Sequence, residues 1–406
     1  MTAHAPVSMA DPDLCHEGRR LTAAAFLARM RGVAPLLGVT RLGRLTGLDR
    51  IGIPVWMAVR PNAANLSVTQ GKGMDDDSAA LSALMETVEL ALAERPHPRR
   101  VTAAPAELTA SGVSVLPVER YFVRGRNALE PDRPIAWVEG RDLLAGATIW
   151  LPAESVGLCD DPGCLFRQAS DGLGAGSEPT EAIVHGLCEL IERDAMAMWS
   201  FRSPAEMAAR ELSPSLCGAE AAELAGRFAT AGLDLRLFDI TTDLAVPACL
   251  ATVAAAGVSA AEARWFDIAS GTGAAPTVTA AARRAMLEAA QSRLTTIAGA
   301  RDDIAPDDYD RPLPRHLSFY LGGPAMPPPG PAPRLAPPAP DAPAQLAWLL
   351  DRLRAAGIRS LAVTSLDAEA FGCSVMRVLA PDLEQDPSSP NRRLGRRALA
   401  AMLGRR

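Results

Sequence analysis

The chain has 406 residues, 48 % of them apolar and only 4 % aromatic, with a formal net charge of -6. That is enough for one large or two smaller aliphatic cores, and the negative balance argues against nonspecific nucleic-acid binding. Seven cysteines are scattered without pairing, MTAHAPVSMADPD lacks a secretory pattern, and no apolar run reaches membrane-spanning length, which together indicate a reduced, cytoplasmic protein with no membrane contact.

Residues 1–20 are expected to fray, and residues 24–45 to form a small helix and a loop. The character changes at Leu48. LDRIGIPVWMAVRP reads as a strand, with β-branched and aromatic bulk from Val55 to Val59. LSVTQGKG is a shorter strand closing in a Gly-Lys-Gly turn. It lacks P-loop spacing, although glycines flanking Lys72 would let backbone N–H groups and an ammonium approach a phosphate. A plain hairpin turn fits the same residues. Asp75 to Asp77 lead into a helix through Ser82 that stops near Arg95-Pro96. A short helix and a probable strand follow, then WVEGRDLL and ATIWLPAESVGL as strands. CDDPGC has the wrong spacing for a common zinc knuckle, so buried or incidental thiols are the simpler reading.

SDGLGAGS reads as a Gly-rich turn opening a long helix from Pro179, with Thr180 as its cap. PAEMAARELSP and AAELAGRFATAG are helical. LDLRLFDIT and VPACLATVAAAG are strands, and RWFDIASGTGAAPTVTAAARRAMLEAAQSR gives strand, glycine turn and helix. Residues 323–343 are a proline-rich linker or loop. Beyond it come a helix over residues 344–357, the strands IRSLAVTSL and CSVMRVLAPDLE, and a basic C-terminal helix. The alternation lacks the parallel-unit spacing of a Rossmann fold. It predicts an α+β chain with an extension over residues 1–45 and one domain over residues 46–400.

Three of these helices carry a polar stripe with one rhythm, i, i+4 and i+7. The members are Ser82, Glu86 and Glu89; His185, Glu189 and Glu192; and Arg284, Glu288 and Gln291. On the central helix Glu181 joins the acidic face, within about 80° of the others, opposite Ile183, Leu187 and Ile191. Stacked acids repel, so such a face wants a cation, an arginine or solvent. A solvated face remains an alternative, but these stripes are short of lysine.

Together, TGLDRIGIPV, AVRPN, QGKG, SALMETVE, the S-x-GLxxG turn, EAIVHGLCELIERDA, RAMLEAAQSRL and GARDD resemble the YcaO family, from about Leu48 to Arg397. The resemblance implies a YcaO-like fold of mixed sheets and helices, with three amphipathic helices lining a nucleotide site. It implies Mg²⁺ held by Glu89, Glu181, Glu189, Glu192 and Glu288. ATP would be held by Lys72, Ser82, Glu86, Asp171, Arg193, Arg284 and Gln291. The family commonly has Asn where this chain has Asp171. A homodimer is expected on the same ground.

LDRIGIPV, RPN and QGKG look most like members that work with a TfuA-like partner, some linked to thioamide formation on a peptide or protein substrate. No leader-binding segment of convincing size is visible before Leu48, and the last residues are Gly-Arg-Arg rather than a proline-rich tail. An amide oxygen is a poor leaving group. Phosphorylating it after a thiol or sulfide adds to the carbonyl would yield C=N or C=S. Carboxylates can serve that chemistry through a hard cation that also takes phosphate oxygens. No Ser-His-Asp set stands out. The expected function is thioamide formation. An azoline-forming cyclodehydratase, a nucleotide-binding peptide scaffold and an ATP-grasp-like ligase are the alternatives.

Overall fold

The computed structural model describes residues 20–95, 99–123, 125–158, 163–321, 341–389 and 392–404. Most of the proline-rich stretch and the frayed N-terminal residues of the sequence reading lie outside these, as do Cys15 and Cys159. The described strands form three antiparallel sheets. The first runs β1 (Arg41–Arg44), β2 (Val55–Val59), β3 (Val68–Lys72). The second is ordered β4 (Arg100–Ala103), β5 (Ile135–Asp142), β12 (Ala362–Ser365), β13 (Ser374–Leu379), β7 (Leu173–Gly176), with β6 (Thr148–Pro152) on β5. The third is ordered β11 (Ile268–Ala274), β10 (Ala248–Ala255), β9 (Leu233–Asp239), β8 (Glu211–Leu212).

The helices in chain order are α1 (Ala23–Val33), α2 (Asp76–Ala93), α3 (Pro105–Ala110), α4 (Ala153–Val156), α5 (Pro179–Trp199), α6 (Pro204–Ala208), α7 (Ala219–Thr230), α8 (Val278–Ala298), α9 (Ala342–Ala355) and α10 (Arg396–Met402). Each sheet sends one strand straight into a long helix: β3 into α2, β7 into α5, β11 into α8. Asp75 caps α2 by accepting from Ser78 N, and Thr277 caps α8 by accepting from Ala280 N. At α5 the cap position is Glu178, and Pro179 opens the helix, where its missing N–H costs nothing. Thr180, expected as the cap, therefore lies inside the first turn.

Glycines let these strands lie on the helix backbones. A Cβ at Gly71 would stand 2.0 Å from Ala83 N and 2.3 Å from Ala79 O; at Gly174, 2.2 Å from Ala182 O and 2.7 Å from Gly186 N; at Gly273, 2.5 Å from Ala281 O and 2.7 Å from Ala285 N. The offset from glycine to helix is the same in all three units. The second unit corrects the sequence reading. Part of the glycine-rich turn is strand β7, paired with β13 from Leu173↔Arg377 to Gly176↔Ser374. Glycine weakens local strand propensity, so only the partner strand and the close helix reveal it.

The strip RLGR, read as loop, is edge strand β1; its arginines mask the alternation. Residues 23–45 are built into the first layer, because Phe26, Leu27 and Met30 share an apolar cluster with Leu81, Leu84 and Val88 of α2. The segments after the proline-rich stretch are equally integral. Strands β12 and β13 lie between β5 and β7, and Leu349 and Leu353 of α9 pack with Leu187 and Ile191 of α5. Among the described residues no helix is long and apolar enough to cross a membrane.

Candidate functional site

The three strand–helix units close on one another in a ring. Helix α2 touches β7 of the second unit, α5 touches β11 of the third, and α8 touches β3 of the first. The polar stripes meet along this seam. Matched positions do matched work. Glu86 accepts from Gln70 N at 3.3 Å, Glu189 from Gly172 N at 3.1 Å, and Glu288 from Thr272 N at 3.3 Å, each within its own unit.

The next polar position reaches into the following unit. Glu192 Oε1 accepts from Thr272 Oγ1 at 2.5 Å, and Gln291 Nε2 donates to Gln70 O at 3.2 Å. Glu89 would find apolar β7 there. Its Oε1 instead lies 3.6 Å from Nδ1 of half-exposed His185 on α5. The rhythm seen in sequence is thus a repeated placement in space.

Two cations serve the seam. Lys72 Nζ donates to Glu288 Oε2 at 2.8 Å. Arg193 lies 3.4 Å from Glu189, 3.5 Å from Glu192, 3.6 Å from Asp171 and 3.5 Å from Asp386. Acids thus outnumber these two cations, and burial works against their charge. Burial raises Glu86 to about 7, with Lys72 opposing and Glu89 reinforcing. It raises Glu189 to about 8, against Arg193 and with help from Asp171, Glu89 and Glu192. Glu192 is also raised, by burial and then by Glu288. Burial alone would raise Glu288 too, but Lys72 and Arg193 hold it below the ordinary carboxylate value. Lys72 is raised, because Glu288 outweighs the desolvation that opposes its charge.

The remaining expected site residues are placed differently. Ser82 stands half-buried one turn before Glu86. Arg284 Nη1 donates to Ala274 O at 3.1 Å. Asp171 accepts from Arg167 Nη2 at 3.0 Å. Glu181 sits in the first turn of α5, where its carboxylate accepts from Ser177 N and Oγ at 2.8 Å and from Arg20 N at 2.6 Å. The contacts that join the other five glutamates do not reach it. Thr272, Gln70 and Asp386 escaped the sequence reading. The first two occupy matching places, each just before the glycine that lies on its helix, Gly71 and Gly273, and counting back from Glu86 and Glu288 would have revealed them.

The donor set is hard oxygen from three helices with surplus negative charge, which suits a hard divalent cation. Among the described residues no three His, Cys, Asp or Glu side chains converge closely enough to hold a metal alone. A cation that completes its shell with phosphate oxygens and water, as Mg²⁺ does, fits such a seam; one needing an all-protein cage does not.

Known proteins resemble this chain in sequence and in fold. The family described as YcaO cyclodehydratase, ATP- and Mg²⁺-binding, matches residues 70–384. An uncharacterized protein from the tfuA 3' region of Rhizobium leguminosarum bv. trifolii is 38% identical over 407 residues, covering 96% of this chain and 94% of its own. An uncharacterized protein of Methanothermobacter thermautotrophicus is 34% identical, with 68% of this chain and 70% of its own covered. Among solved structures, a heterocyclase in complex with substrate and cofactor superposes with a TM-score of 0.73 at 20% identity, over 90% of this chain and 53% of that one. This chain thus spans about half the length of that heterocyclase. The Methanopyrus kandleri YcaO bound with AMPPCP and Mg²⁺ gives 0.68 at 22% identity, over 92% and 96%.

Proposed function

The chain belongs to the YcaO family, and we propose that it uses ATP to activate a peptide-backbone amide, replacing the carbonyl oxygen by sulfur with a TfuA-like partner. The observation that carries this reading is the seam itself, where five glutamates from three helices surround Lys72 and Arg193. A scaffold that merely presented a peptide would not need so many acids crowded on one seam, two of them buried.

In this reading Glu89, Glu189, Glu192 and Glu288 hold Mg²⁺, and Glu181 extends the set at the start of α5. Lys72, Arg193 and Arg284 balance phosphate charge, Arg193 as a planar fork and Lys72 as a point charge. Ser82, Glu86, Asp171 and Gln291 complete the nucleotide contacts. Bound Mg·ATP would supply phosphoryl transfer to the amide oxygen. The chain itself supplies alignment and charge. Thr272 orients Glu192, the N–H groups of Gln70, Gly172 and Thr272 orient Glu86, Glu189 and Glu288, and Asp386 braces Arg193. His185 faces Glu89 and is placed to orient it.

The preference for sulfur over ring closure comes from the relative in the tfuA 3' region. The heterocyclase structures favour azoline formation as the second reading. Intact mass separates the two. With candidate peptide, partner, Mg·ATP and sulfide, oxygen-to-sulfur exchange adds about 16 Da and must carry isotopically labelled sulfur. Cyclodehydration of a cysteine removes about 18 Da and would move the assignment to the azoline reaction. No change of mass and no partner-dependent ATP use, with the peptide bound, would overturn both.

A further inference from the structure

The three units are built alike, but the second leaves its strand edge open. The residue just before the helix-bound glycine is Gln70 in the first unit, Leu173 in the second and Thr272 in the third. Gln70 donates its N–H to Glu86, and its C=O accepts from Gln291. Thr272 donates its N–H to Glu288 and its hydroxyl to Glu192. Leu173 donates its N–H to Ser170 O at 2.9 Å, inside the preceding turn, and offers the seam no polar side chain.

The residue just after the glycine repeats the difference. It is Lys72, Ala175 and Ala274 in turn. Lys72 sends its ammonium to Glu288, and Ala274 O accepts from Arg284 Nη1. In the second unit the residue matched to Arg284 is His185, whose ring faces Glu89 instead.

Half-buried Ala175 lies on β7, the terminal strand of its sheet among the described residues. Its register partner is Val375. Val375 O accepts from Leu366 N at 2.9 Å, on the β12 side of β13. Antiparallel pairs alternate between bonded and unbonded residues, so Ala175 turns its own N–H and C=O away from β13. Neither group has a hydrogen-bond partner among the described residues. A strand edge with both groups free is a template for another backbone.

We propose that this edge of β7 receives the substrate peptide, with Ala175 N–H and C=O pairing with one substrate residue. The proposal rests on the amide-activating reading above and adds how the backbone is gripped. A peptide carries the same donor and acceptor at every residue, which is what the edge matches. Lys72 holds the matched place in the first unit and reaches the seam, so a residue bound at Ala175 lies beside the seam. The paired residue must own an N–H, which excludes proline.

Ala175→Pro deletes the outward N–H and keeps the ladder bonds to β13. In the mass assay above it should raise the peptide KM about tenfold, with calorimetric Mg·ATP affinity kept. If that variant does not fold, the unaltered chain is given the same peptide N-methylated at one residue at a time. One position should raise KM about tenfold and both its neighbours should not, because strand N–H groups alternate in direction. Equal KM in wild type and folded Ala175→Pro, or N-methylation tolerated at every position, overturns the site. A peptide modified with equal KM by both chains keeps the assigned reaction and removes the site. A peptide that is bound but never modified overturns the reaction. Fluorescence anisotropy of the labelled peptide then judges the site alone: weaker binding to Ala175→Pro keeps it, and equal binding removes it.

Discussion

Lys72 and Glu288 are 216 residues apart in sequence, yet the Lys72 ammonium donates to the Glu288 carboxylate across 2.8 Å. The pair joins the first strand–helix unit to the third and helps hold Glu288 below the ordinary carboxylate value. Each side chain is about a quarter exposed, so the bridge itself contributes little to stability, about 1 kcal/mol or less. Lys72→Met should therefore leave the denaturation midpoint almost unmoved. It should weaken Mg·ATP by about tenfold, because a phosphate partner is lost. A large fall in stability with unchanged affinity would make the pair purely structural.

Glu192 tests the seam from the other side. Its carboxylate is buried and accepts from Thr272. Glu192→Gln keeps the volume and the hydrogen bond but removes the charge. Affinity for Mg·ATP should drop by about tenfold or more, with the melting temperature equal to or above that of wild type, since a costly buried charge is gone. Equal ATP affinity by calorimetry would take Glu192 out of the site.

A pH dependence follows from Glu86 and Glu189, raised from 4.5 to about 7 and about 8 by burial. In the native chain these carboxyls keep protons that the unfolded chain has released. Stability of the nucleotide-free protein should thus be greatest near the acid end of this window and fall as pH rises towards about 8. Glu288, held low by its cations, opposes this only at lower pH, through its own titration. A divalent cation favours the ionised forms, so Mg·ATP should flatten the loss and release protons on binding. Melting curves across pH with and without Mg·ATP, and binding heats in buffers of different ionisation enthalpy, measure both. Stability rising from pH 5 to pH 8 without ligand would contradict the buried-acid account.

The glycine contacts give a stability prediction. A methyl at residue 273 would meet Ala281 O at 2.5 Å and Ala285 N at 2.7 Å, both backbone atoms that cannot swing away. Gly273→Ala should destabilise by about 3 kcal/mol. Gly226→Ala, where nothing lies within 4 Å, should stabilise slightly by favouring helix α7. Equal effects in urea denaturation would refute the close approach of β11 to α8.

Much of the site could be read before any coordinates. The repeated rhythm of Ser82–Glu86–Glu89, His185–Glu189–Glu192 and Arg284–Glu288–Gln291 marks the three faces because helical spacing is a local property. What faces what is not local. Gln291 on Gln70 and Glu192 on Thr272 depend on how the units stack, and no periodicity encodes that. Strand β7 was hidden because Gly174 and Gly176 carry no side chains to alternate. Glu181 shares the helical arc of Glu189, but distance along the axis, rather than angle around it, separates their contacts.

The ring of units also constrains synthesis. Helix α8 supplies Glu288 to Lys72 and Gln291 to Gln70, and it ends only at Ala298. Strands β12 and β13, which hold β7 in place, emerge later still. While the chain leaves the ribosome, α2 and α5 expose their acids to water with no third face opposite. A translation product stopped between α5 and α8 carries most of the seam glutamates and none of the enclosure. Pulse-labelled nascent chains of increasing length should therefore gain nucleotide-dependent protease resistance in one late step.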